Sequence, residues 1–110
     1  MATIAIGDIH GNLAALNDLL ERIEPELCAE DTVVFLGDYI DRGPDSRRCI
    51  DKILDLRSTT KADVVTLLGN HEDWLLITYR DFRSHSWILG MHGLKTVQSY
   101  CAKAERRLRS

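Results

Sequence analysis

No apolar run in this 110-residue chain approaches the roughly 18 residues that a membrane-spanning helix needs. The opening stretch MATIAIGDIHGN carries an acid by position 8 and holds no signal-peptide core. Both absences predict a soluble chain in the cytoplasm. Cysteine is scarce and shows no pairing pattern: Cys28, Cys49 and Cys101 are far apart, odd in number and without a C-x-x-C. That speaks against a disulfide scaffold or a zinc knuckle and suits free thiols in a reducing compartment. Charge of one sign is also lacking. Lys and Arg number 14 against 17 acids, so the net charge of −3 gives no field that would draw nucleic acid or an acidic membrane. The tail KAERRLRS is the one basic cluster, and it reads as an exposed helix end rather than an RNA-binding arm. There is no internal repeat and no low-complexity linker. The length suits one small domain with a modest core.

What is present is a run of short apolar segments, each closed by glycine and a polar residue. TIAIGD, residues 3–8, reads as a strand and a turn. Leu13, Leu16, Leu19, Leu20 and Ile23 then recur at helical spacing, with Asn12 placed to cap that helix and Pro25 to end it. DTVVFLGD, residues 31–38, is a second strand, continuous and β-branched as buried parallel strands are. Pro44 stands at a helix start, and Cys49, Ile50, Ile53, Leu54 and Leu56 give that helix an apolar face. ADVVTLLGN, residues 62–70, reads as a third strand and EDWLLITYRDF as a helix. Residues 84–93 read as irregular and 94–108 as a last helix. The order β-α-β-α-β-α predicts an α/β fold with a parallel sheet and right-handed crossovers. Ligands of such sheets gather beyond the carboxyl ends of the strands.

All three strands end alike, in GDIHGN, GDYIDRG and GNHED. Adjacent parallel strands would bring Asp8, His10, Asp38, Asn70 and His71 into one small volume. Carboxylates gathered so closely repel one another unless a metal offsets their charge or their pKa values rise. Carboxylate, amide oxygen and imidazole together suit Mn, Fe or Zn. Two-metal hydrolytic sites hold their ions about 3.5–4 Å apart, where one carboxylate can bridge both. Asp38, on the middle motif, is the natural bridge. A single Gly-Asp is ordinarily a turn, and a single Asn ahead of a helix is ordinarily a cap. Threefold recurrence is what points to a site.

The motifs GDIHG, GDYIDRG and GNHE resemble those of the metallophosphoesterase (calcineurin-like) superfamily. The serine/threonine protein phosphatase branch, which reads GDxHG, GDxxDRG and GNHE in this order, is the nearest pattern. The resemblance spans roughly residues 3–80. It implies that residues 1–110 form a single truncated domain: the β-α-β-α-β parallel half of that family's α/β sandwich, with a further helix at the C-terminus. It implies a metal-dependent phosphoester hydrolase using two divalent ions, Mn foremost and Fe or Zn otherwise, and a metal-bridging hydroxide. Asp8 and His10 would bind the first ion, Asp38 would bridge, and Asn70 would bind the second. His71 would be the general acid, Asp41 its orienting partner, and Arg42 a planar fork on the phosphoryl oxygens. Arg42 has an alternative as the ion-pair partner of Asp38, Asp41 or Asp45. Glu72 need not touch metal: it would either support the ligands from behind or cap the helix.

The family's later half supplies two more histidine ligands. Only His85 and His92 follow His71 here, and they read first as part of a loop on the substrate face, with metal ligation as the alternative. SWILGMHGLKTVQSY also resembles the family's Trp, Gly-rich turn and helix ending in Ser-Tyr. Leu68 stands where the protein phosphatases often carry an Arg, which removes one phosphate contact. The expected substrate is a phosphoprotein or a small phosphoester. The alternatives are a symmetrical diadenosine tetraphosphatase and a truncated, inactive metal-binding remnant. A half-sheet would also leave apolar surface uncovered, which predicts self-association.

Overall fold

Three short strands pair in parallel in chain order: β1 (Thr3–Ile6), β2 (Thr32–Phe35) and β3 (Asp63–Thr66). Helix α1 (Leu13–Ile23) and a 3-10 turn (Glu24–Glu26) connect β1 to β2, and α2 (Ser46–Thr59) connects β2 to β3. Helix α3 (Asn70–Arg80), the single turn α4 (Trp87–Gly90) and α5 (Gly93–Tyr100) follow. The computed structural model describes residues 1–81, 87–90 and 93–101. The expected parallel α/β half-sandwich is therefore the observed architecture. His85, His92 and the basic tail lie outside the described residues.

The register sorts the strand residues into two faces. Ile4, Val33 and Val64 align across the sheet, as do Ile6, Phe35 and Thr66. This face is the core: Val33 and Phe35 are fully buried, packed in one cluster with Leu16 and Leu20 of α1 and Cys49, Ile53 and Leu56 of α2. The helical partners recur every three or four residues, as one apolar stripe requires. Asn12 caps α1 as its position suggests, its Oδ1 accepting from the Ala15 N–H at 3.1 Å. The opposite face carries Ala5, Val34 and Val65 in register. Here Val65 is 41% exposed, and beyond it Leu36, Leu67 and Leu68 are 49%, 46% and 63% exposed. The uncovered apolar surface expected of a half-sheet is present.

Three boundaries differ from the sequence reading. The strands stop before their Gly-Asp and Gly-Asn pairs, because Asp8, Gly37 and Asp38 have φ of 50°, 103° and 57°, which no β-ladder accommodates. The third motif is not a strand end: Asn70 and His71 form the first turn of α3 behind Gly69 at its N-cap. The segment read as irregular contains the helical turn Trp87–Gly90. Its Trp87 is buried against the main cluster, so tertiary packing fixes a conformation that local composition leaves open.

Candidate metal and phosphate site

The site is made of two turns and a helix start, held together through backbone. The first turn follows β1 and the second follows β2. His10 and Gly11 donate their N–H groups to the carbonyls of Asp38 and Tyr39 at 2.9 and 2.8 Å. Gly43 and Asp45 donate to the carbonyls of His10 and Gly11 at 2.9 and 3.1 Å. The chains approach too closely for a side chain: a Cβ on Gly43 would lie 2.7 Å from the Gly11 carbonyl oxygen and carbon. The last glycines of GDIHG and GDYIDRG are thus one feature, a backbone-to-backbone contact.

Glu72 ties the second turn to α3. Its carboxylate accepts the N–H groups of Asp38, Tyr39 and Ile40 at 2.6, 2.9 and 3.3 Å, and that of Gly69 at 3.0 Å. The capping role expected for Glu72 is what the structure contains. The His71 N–H, at the start of α3, donates to Asp38 Oδ1 at 3.1 Å, where the positive end of the helix also favours a carboxylate. Gly37 and Gly69 meet in the same place: a Cβ on Gly37 would lie 2.6 Å from the Gly69 Cα.

These constraints gather the expected ligands. Asp8, His10 and Asp38 each offer a ligand atom within 4.8 Å of the other two. His10 Nδ1 lies 2.9 Å from the Ile40 carbonyl oxygen. A carbonyl only accepts, so Nδ1 carries the proton and Nε2 keeps its lone pair for a metal. Two carboxylates and one imidazole nitrogen so oriented suit a borderline divalent cation. Asn70 is the exposed first residue of α3, next to His71, whose backbone N–H meets Asp38.

Behind this triad lies a buried pair. His71 Nδ1 bonds Asp41 Oδ2 at 2.7 Å, and Asp41 is fully buried while His71 is 6% exposed. The His71 ring stands edge-on to that of His10, centroids 4.7 Å apart, and tilts against Trp74 at 4.6 Å. With Nδ1 engaged, Nε2 is the ring nitrogen that turns away from Asp41. Arg42 is exposed and, among the described residues, makes no ion pair with Asp38, Asp41 or Asp45. It flanks a cleft of about 650 Å³ with Asp8, His10 and Asp45.

Five of the seven expected site residues, Asp8, His10, Asp38, Asp41 and Arg42, have φ between 45° and 75°. Short polar side chains tolerate this region, but Arg42 does not favour it. Strain of this kind persists only where surrounding bonds over-determine it, at about 1–3 kcal/mol per residue.

Two residues at the heart of the site went unassigned in the sequence. Trp87 Nε1 and Thr96 Oγ1 both donate to the Asp41 carboxylate. The Trp, Gly-rich turn and Ser-Tyr ending were the available signal, but they carried no role.

A family model described as calcineurin-like phosphoesterase matches residues 1–104. The chain is 40% identical over 86 residues to a symmetrical bis(5'-nucleosyl)-tetraphosphatase of Cellvibrio japonicus, covering 78% of this chain and 30% of that protein. A zinc-dependent endopolyphosphatase of Saccharomyces cerevisiae is 31% identical over 85 residues, covering 77% and 25%. A second symmetrical tetraphosphatase, of Wigglesworthia glossinidia brevipalpis, is 39% identical over 79 residues, covering 72% and 27%. The matched stretch thus spans less than a third of each of these relatives.

Proposed function

The chain belongs to the calcineurin-like phosphoesterase family, and from that premise we propose that its site hydrolyses phosphoric esters or anhydrides with divalent metal ions. The observation that carries this reading is the pairing of the Asp8–His10–Asp38 triad with the His71–Asp41 pair across one ring contact. Asp8, His10 and Asp38 would hold one ion, and Asp38 and Asn70 a second. Mn, Fe and Zn all suit these donors, and a zinc-dependent relative adds weight to Zn. Bound ions supply Lewis acidity and a nucleophile from water at neutral pH.

The chain's own residues do the rest. Arg42, which forms no ion pair among the described residues, grips two phosphoryl oxygens through its planar fork. His71 donates a proton from Nε2 to the departing oxygen, and Asp41 at Nδ1 keeps the ring in that orientation. Asp8 is exposed and His10 and Asp38 are half-buried, while Asp41 is fully buried behind His71, so substrate enters on the side of the triad.

The relatives favour a phosphoanhydride substrate. Two of them are symmetrical bis(5'-nucleosyl)-tetraphosphatases by name, and the third is an endopolyphosphatase. A dinucleoside polyphosphate is therefore our reading of the substrate class. The serine/threonine phosphatase expectation rests on motif resemblance alone, and the exposed Leu68 supplies no phosphate-binding cation. The test is hydrolysis of diadenosine tetraphosphate and of p-nitrophenyl phosphate with and without Mn²⁺, beside Asp38→Asn. We expect metal-dependent release of ADP, lost in the variant. Turnover that ignores either the metal or the substitution would refute the site. Turnover of a phosphopeptide but not of the dinucleotide would restore the phosphatase reading.

A further inference from the structure

We propose that Trp87 and Thr96 are positioning residues that clamp the Asp41 carboxylate and thereby set the tautomer and orientation of His71. This rests on the reading of His71 as proton donor given above.

Asp41 is fully buried, and each of its oxygens has a donor. Oδ2 is shared by His71 Nδ1 and Trp87 Nε1, and Oδ1 is taken by Thr96 Oγ1. The hydroxyl protons can be assigned by counting. Thr96 has one proton and gives it to Asp41, so Ser46 Oγ, 3.1 Å away, must donate to Thr96 Oγ1. Both hydroxyls then accept the Asp41 N–H, at 2.9 Å for Thr96 and 3.1 Å for Ser46. Thr96 thus holds Asp41 by side chain and backbone together, at a residue whose φ of 75° needs holding.

The clamp is itself fixed. Gly93 packs on the Trp87 indole so closely that a Cβ would lie 2.5 Å from its Cδ2. Helix α5, which carries Thr96, is pinned to α2 where the Arg47 N–H donates to Ser99 Oγ at 3.2 Å. Trp87 and Thr96 are 4% and 2% exposed, so water cannot replace either donor. Their distance in the chain from Asp41 (46 and 55 residues) means that the proton donor is oriented only when the segment after α3 has docked.

A donor lost from Oδ2 or Oδ1 frees the carboxylate to rotate, and His71 is then free to carry its proton on Nε2 instead. Donation from Nε2 starts from the doubly protonated ring and leaves the Nδ1–H form that Asp41 stabilises, whereas a neutral ring with its one proton on Nε2 would have to become an anion to give it up. The test uses Thr96→Val, Trp87→Phe and the conservative Thr96→Ser. Nitrogen-15 NMR of the His71 ring, at one fixed pH without metal, should show the Nδ1–H form in the wild-type chain and in Thr96→Ser. Thr96→Val and Trp87→Phe should show a mixture with Nε2–H. In turnover, the two disruptive variants should lose about tenfold or more on phenyl phosphate but much less on p-nitrophenyl phosphate, whose leaving group needs little protonation. Thr96→Ser should recover the difference.

An unchanged His71 tautomer in a folded Thr96→Val or Trp87→Phe would overturn the clamp, as would equal losses on both substrates. Absence of turnover in the wild-type chain would instead count against the proposed function, and the tautomer measurement would still decide whether the clamp exists.

Discussion

Burial acts on single residues here in ways that thiol and acid chemistry can read. Cys49 is fully buried in the core, and that burial, with the Asp45 charge near it, pushes its thiol from 9.0 up to about 11. Cys28 and Cys101 are exposed and free. A disulfide reagent at pH 8 should therefore titrate Cys28 and Cys101 in the native chain and reach Cys49 only on unfolding. Rapid labelling of Cys49 would contradict the packing of α2. The linkage has a definite sign: the folded state holds the Cys49 proton more tightly, so this contribution is complete below pH 9 and lost as pH rises toward 11. Asp31 works oppositely. The Cys28 and Ala2 N–H groups, at 2.8 and 2.9 Å, hold its carboxyl below the ordinary 3.8. Its stabilisation is present above that pH and fades as pH falls through the lowered value, and Asp31→Asn should remove that part of the acid transition. Among the described residues Glu72 is the most loaded single acceptor. Bonds to charged groups contribute about 1.5–3 kcal/mol each, and four N–H groups lose theirs together in Glu72→Ala, so we expect a loss of at least about 2 kcal/mol in urea unfolding.

Elements differ in how much of them their own residues dictate. Helices α1 and α2 were legible because an apolar stripe at 3.6-residue spacing and the Asn12 cap are local signals. Strands β1 and β2 were legible as apolar runs, but their ends were not. The left-handed turns at Asp8 and Asp38 are imposed by contacts with one another, which no single stretch encodes. The same holds for α4 and for the roles of Trp87 and Thr96, which depend on a carboxylate 46 and 55 residues away. The triad itself was legible, since the recurrence of Gly-Asp or Gly-Asn after three apolar segments survives any error in boundary. This contrast predicts unequal sensitivity to small backbone changes. Gly43→Ala puts a methyl group against the His10 and Gly11 carbonyls and should cost about 1–3 kcal/mol as overpacking does, with weakened binding of Mn²⁺ to the turn it displaces. Glu21→Gly, on the exposed side of α1, should cost about 1 kcal/mol from helix propensity and leave Mn²⁺ affinity unchanged. Calorimetric titration with Mn²⁺ separates the two. Equal affinities would mean that the Gly11–Gly43 contact does not shape the site.

At the scale of the whole molecule, the sheet has one finished face and one unfinished. Val33 and Phe35 are sealed by α1 and α2, while Val65, Leu36, Leu67 and Leu68 meet water on or beyond the other face. Contiguous apolar surface of this kind is rare on stable monomers. β3 is also an edge strand, so its outer hydrogen-bonding side adds a second route to association. We propose that the isolated chain self-associates through the open face, and that this is independent of the metal site, which sits at the ends of the strands. Sedimentation from low to tens of micromolar should show a mass that rises with concentration. Val65→Lys with Leu67→Lys places two charges on the open face without touching Asp8, His10 or Asp38, and should return the monomer mass while Mn²⁺ affinity stays the same. Association that persists in the double variant would place the contact at the β3 edge instead. A shift in Mn²⁺ affinity with the mass would mean that the open face and the strand ends are coupled, and that whatever covers the sheet also shapes the site.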